Sequence, residues 1–74
     1  MMYRLVTGWY PSRKTAERIL KNVKAKKKNS EILELEDGFC VSLFCSNFYK
    51  DCEIMKEKCL NKGIYCGIEA VREN

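Results

Sequence analysis

The chain is expected to fold as an α+β two-layer sandwich, β-α-β-β-α-β, with a four-stranded antiparallel sheet and two helices on one face of it. Three observations carry that expectation. Phe39, Val41 and Leu43 alternate with Cys40 and Ser42, the period of a strand with one buried face. After Ser12, and again after Ser46-Asn47, apolar residues recur three and four apart, as on a helix with a single buried stripe. The two halves also correspond at an offset of 36 residues: Tyr3 with Phe39, Leu5 with Val41, Ala16 with Cys52, Ile19 with Met55, Val23 with Cys59, Ile32 with Ile68 and Leu35 with Val71.

The first strand runs from Tyr3 to Thr7, with Tyr3, Leu5 and Thr7 alternating against Arg4 and Val6, and Gly8 is expected to end it. Pro11-Ser12 opens a helix, because a serine there can accept from the orphan amides of the first turn. Ala16, Ile19, Leu20 and Val23 form its apolar stripe, and it extends from about Arg13 to Lys26, its basic tail matched to the negative end of the helix dipole. Asn29-Ser30 closes it, and Glu31 to Glu36 makes the second strand, with Leu33 and Leu35 on one face. Asp37-Gly38 reads as a two-residue hairpin turn, whose central residues take positive φ. The third strand follows, up to Phe44. Ser46-Asn47 is a second cap signal, and Cys52, Met55, Cys59 and Leu60 stripe a second helix from about Phe48 to Asn61, stopped by Lys62-Gly63. Ile64 to Val71 is the last strand. Right-handed crossovers with a tight hairpin between them give the split, ferredoxin-like sandwich with sheet order 4-1-3-2, one domain over residues 1–74. The sheet face away from the helices is left open.

Composition narrows the chemistry. A hydrophobic fraction of 46% with one proline argues against a disordered chain. No apolar run approaches the roughly 18–20 residues that span a membrane. Met1-Met2-Tyr3-Arg4-Leu5 is not an apolar leader, so a cytoplasmic protein is expected from the chain as it stands, and an envelope protein if it is excised from a longer exported one. Five cysteines, with no Cys-x-x-Cys and no histidine, fit neither the usual zinc spacing nor a complete disulfide framework; no metal and no cofactor are expected, and the thiols are read as small buried hydrophobes. Cys45, Cys52, Cys59 and Cys66 recur every seven residues, but the run crosses strand, helix and strand and is not expected to gather them. No glycine-rich phosphate loop and no nucleophile beside a base is present, so a non-enzymatic role is expected.

Leu5-Val6-Thr7-Gly8-Trp9-Tyr10 followed by Ser12 and Ala16 resembles the opening of SPOR domains, a hydrophobic strand, a glycine, a small residue, an aromatic and a helix with an early alanine, with Trp9 standing where the family has the small residue. The second half is similar through Gly38-Phe39, Val41, Cys52 at the second alanine position, and Lys62-Gly63-Ile64-Tyr65. The resemblance covers Tyr3 to Val71 and implies binding of peptidoglycan glycan strands on the open sheet face. Alternation would project Arg4, Val6, Cys40, Ser42 and Phe44 there, with Trp9 and Tyr10 at the rim. Aromatic rings would pack on sugar C–H faces, and Arg4 could pair with a lactyl carboxylate.

Two other classes stand beside this one. Val6 and Phe44 make the face more apolar than a glycan requires, which suits a protein partner: a small intracellular inhibitor or assembly component, virus-encoded or self-associating as a homodimer. Between Pro11 and Ser30 lie Arg13, Lys14, Arg18, Lys21, Lys24, Lys26, Lys27 and Lys28 against Glu17 alone, a patch that would attract phosphate in a salt-dependent way. Nucleic acid ranks below the other two, since a lysine-rich helix is also simply a well-solvated one.

Overall fold

The structure, a computed structural model, describes Met1–Val71; the last three residues of the expected 1–74 domain lie outside the described residues. Six elements follow in order: β1 (Met2–Tyr10), α1 (Arg13–Lys24), β2 (Glu31–Leu35), β3 (Gly38–Ser46), α2 (Tyr49–Asn61) and β4 (Gly67–Val71). The sheet order is β2-β3-β1-β4 with every neighbour antiparallel, which is the expected order read from the other edge. Leu5, Val41 and Leu43 from the two central strands meet Val23 of α1, Cys59 of α2 and Ile64 in one buried cluster, so both helices share one face of the sheet.

Local chemistry accounts for most of the helix boundaries. Ser12 is the N-cap of α1 and accepts from the Thr15 amide at 3.2 Å. Gly63 ends α2 with φ +79°, the left-handed conformation that glycine takes without steric penalty. Its amide donates to the Leu60 carbonyl at 3.0 Å and the Ile64 amide to the Cys59 carbonyl at 2.9 Å, a Schellman closure that drops Ile64 into the core against Cys59. Helix α2 begins at Phe48 without a side-chain cap; Ser46 instead accepts from the Phe48 amide at 3.1 Å and donates to the Asp51 carboxylate at 3.0 Å.

Two expectations are corrected. The hairpin turn is formed by Glu36 and Asp37, because Leu35 pairs with Gly38, and no residue other than Gly63 has positive φ among the described residues. Gly38 is a strand residue whose missing side chain matters for another reason: a Cβ there would collide with the indole of Trp9. Nor does Gly8 end the first strand, which continues to Tyr10. The chain passes Gly8 through an irregularity instead. Pairing shifts between Leu5 and Val6, where β3 carries an extra residue, and shifts back between Val6 and Trp9, where β1 does.

Candidate functional site

The uncovered sheet face is built from β1 and β3 with contributions from both edges. Residues opposite each other across antiparallel strands share a face. Val6 lies opposite Ser42 and Gly67, Trp9 opposite Cys40, Leu33 opposite Cys40, Leu35 opposite Gly38, and Arg4 opposite Glu69. Because Leu5, Val41 and Leu43 point to the helices, these residues point away from them. Arg4, Val6, Cys40 and Ser42 are therefore on the face to which alternation assigns them, and Trp9, expected at the rim, stands on that face as well.

Trp9 reaches that face only through the irregularity in β1. Strict alternation from Leu5 would send Trp9 toward the helices; the extra residue at Thr7-Gly8 reverses it. Its indole then rests on the backbone of Gly38, with 52% of the residue exposed. Leu33 and Leu35 continue the apolar surface along β2. Alternation puts these two leucines on one face of β2, and the register with β3 decides which, since a one-residue change of register exchanges the faces of a strand.

Electrostatics on this face are internally paired. The Arg4 guanidinium lies 3.5 Å from the Glu69 carboxylate, so the arginine expected to be available for a ligand carboxylate already has a partner. Cys40 and Ser42 point to this face but are covered by neighbouring side chains, at 4% and 7% exposure. Burial pushes the Cys40 thiol up, the Glu69 carboxylate adds to that, and Arg4 acts against it. These two residues floor the face and do not stand out from it.

Tyr10 and Phe44 are placed differently from the expectation. Tyr10 packs against the core cluster and its hydroxyl donates to Thr7 Oγ1 at 3.1 Å, on the helix side. Phe44 lies opposite Leu5 and also packs against the core cluster, because the extra residue in β3 turns it inward, and the Lys27 ammonium sits 5.9 Å from its ring centre. At the open end of β3, before β2 begins, Arg4, Ser42 and Phe44 meet Lys27, Glu31 and Leu33 around a shallow cleft of about 280 Å³.

The basic residues do not form one surface. Lys14, Arg18 and Lys21 make an outward ridge on α1, opposite the buried Ala16 and Val23, and Lys24 is exposed at its end. Arg13 pairs with Glu17 at 3.4 Å and lies 5.9 Å from the Phe39 ring centre. Beyond the helix the run divides: Lys26 turns toward the end of α2, Lys27 toward Phe44, and Lys28 is exposed.

All five cysteines are free, and only Cys45 is exposed. Cys66 and Cys59 are neighbours, but the seven-residue recurrence brings no three cysteines together among the described residues; burial, with the Cys59 thiol adding to it, pushes Cys66 up to about 11. Cys52 is also raised, chiefly by burial. Among the described residues no three His, Cys, Asp or Glu side chains are grouped as metal ligands, and no helix is long and apolar enough to cross a membrane. No protein-family model, curated protein or solved structure matches the chain.

Proposed function

We propose that this protein is a non-catalytic binding module, of the kind SPOR domains represent, that holds a glycan strand on the open sheet face. One observation carries the reading: a half-exposed indole is seated on the central strands by a local irregularity in β1, over a glycine whose side chain would have displaced it. Such a ring offers a sugar an apolar surface to pack against. Val6, Leu33 and Leu35 extend that surface across the sheet, and Arg4 with Glu69 bounds it toward β4. The test is retention on purified bacterial sacculi before and after amidase treatment removes the stem peptides. Retention that rises after amidase and disappears in Trp9→Ala is expected; no retention in either case removes the reading.

A second reading has an observation of its own. Arg4 is engaged with Glu69, and Val6, Leu33 and Leu35 are apolar, a surface that suits a protein partner or a second copy of the chain. Mass by light scattering tests self-association. A dimer that becomes a monomer in Leu35→Ser supports it, and a monomer unchanged by that substitution rejects it.

A further inference from the structure

On the opposite side of the molecule, between α1 and the end of α2, a half-open cleft of about 250 Å³ belongs to neither reading of the open face. Ile19, Val23 and Ile64 make it apolar, while Thr7, Tyr10, Asn22, Lys26 and Tyr65 bring polar groups to it, and among the described residues no carboxylate lines it. Tyr10 donates its only hydroxyl proton to Thr7 Oγ1, which leaves the proton of Thr7 itself as a donor. Lys26 stands at the rim over Gly63: its ammonium is 3.6 Å from where a Gly63 Cβ would be. Lys62 adds a second positive charge, donating to the Lys26 carbonyl at 3.3 Å.

The geometry points to a binding site for a small carboxylate with a compact branched apolar body, the carboxylate held by Lys26 and Asn22 and the body seated on Ile19, Val23 and Ile64. A cleft of about 250 Å³, apolar with a few polar groups, is smaller than most small-molecule sites and suits a ligand of only a few heavy atoms. The complementary charge argues for an anion and the three aliphatic side chains for an apolar remainder; inorganic phosphate would satisfy only the first.

The experiment is a titration of the isotopically labelled whole chain, followed by amide NMR, with 3-methylbutanoate as probe. 3-Methylbutanamide serves as its neutral counterpart and inorganic phosphate as charge alone. Expected is a saturable response confined to Asn22, Lys26 and Gly63 to Tyr65, with an affinity on the order of 1 mM for so small a ligand. It should weaken about tenfold for the amide and in Lys26→Met, a change of one decade or 1.4 kcal/mol. Lys26 and Asn22 are exposed, so Lys26→Met and Asn22→Phe test the site without touching the core. Asn22→Phe should close the cleft and abolish the response, while Trp9→Ala should leave it intact, so that failure here and failure of the open-face reading are told apart. Equal responses to acid and amide, a phosphate response spread over Lys14 to Lys24, or no saturation at all would overturn the inference.

Discussion

The two β-α-β halves place the same shapes at equivalent positions but fill them with different chemistry. Ala16 on α1 and Cys52 on α2 are both wholly buried; Val23 and Cys59 both belong to the interior; Ser30 and Cys66 both stand just ahead of the outer strands. Ser30 donates to the Lys27 carbonyl at 3.0 Å, and Cys66 to the Ile64 carbonyl at 3.7 Å. Thus three of the cysteines that recur every seven residues occupy places where the first half has alanine, valine and serine. The comparison teaches that the recurrence follows from packing: a thiol is a small, weakly polar side chain that substitutes for any of the three. The helices differ in the opposite sense. Helix α1 is capped by Ser12 and its outer surface is basic, whereas α2 lacks a side-chain cap and exposes Phe48, Tyr49, Ile54 and Leu60.

If the halves share one core, the largest effects come from its centre. Leu5→Ala should cost about 3 kcal/mol and Val41→Ala, at the equivalent position, about 2 kcal/mol, read from the urea midpoint. A cost below about 1 kcal/mol at either would break the equivalence. The helix seats come next: Ala16→Leu and Cys52→Leu should each cost about 2 kcal/mol, because neither site has room for a larger side chain. Exchanging the residues, Ala16→Cys and Cys52→Ala, should cost about 1 kcal/mol or less by the same measurement.

The thiol at Cys66 sharpens the comparison through pH. Burial, aided by Cys59, holds its proton to about 11 against an ordinary value of 9.0, so the unfolded chain releases that proton first. Its contribution to stability is complete below about 9, declines as pH rises toward about 11, and is absent above. Cys66→Ser, which copies Ser30, should flatten that part of the decline in urea titrations across the alkaline range; an unchanged slope would show that Cys66 is not its source. The caps give the smallest effects. Ser12→Ala should lower stability by about 1 kcal/mol, whereas Phe48→Ser should raise it by about 0.5 kcal/mol by supplying the cap that α2 lacks. Thermal melting of the two variants checks the opposite signs.

Much of the architecture is legible along the chain because its causes are local. Alternation at Phe39 to Leu43, helical spacing after Ser12 and Ser46, the glycine stop at Gly63 and the 36-residue correspondence act over a few residues or repeat them, and together they determine six elements and one sheet order. What the tertiary structure decided is the direction in which Trp9, Tyr10 and Phe44 point, and hence the composition of the open face. An extra residue in β3 near Leu43 and another in β1 at Thr7-Gly8 have meaning only once the two strands are aligned. Gly38 shows the same thing on a smaller scale: beside Asp37 it reads as a turn, but in the folded sheet it is the place where the Trp9 indole comes to rest. Register is a property of two strands together, set by packing between residues far apart in the chain, and alternation along one strand contains only half of it.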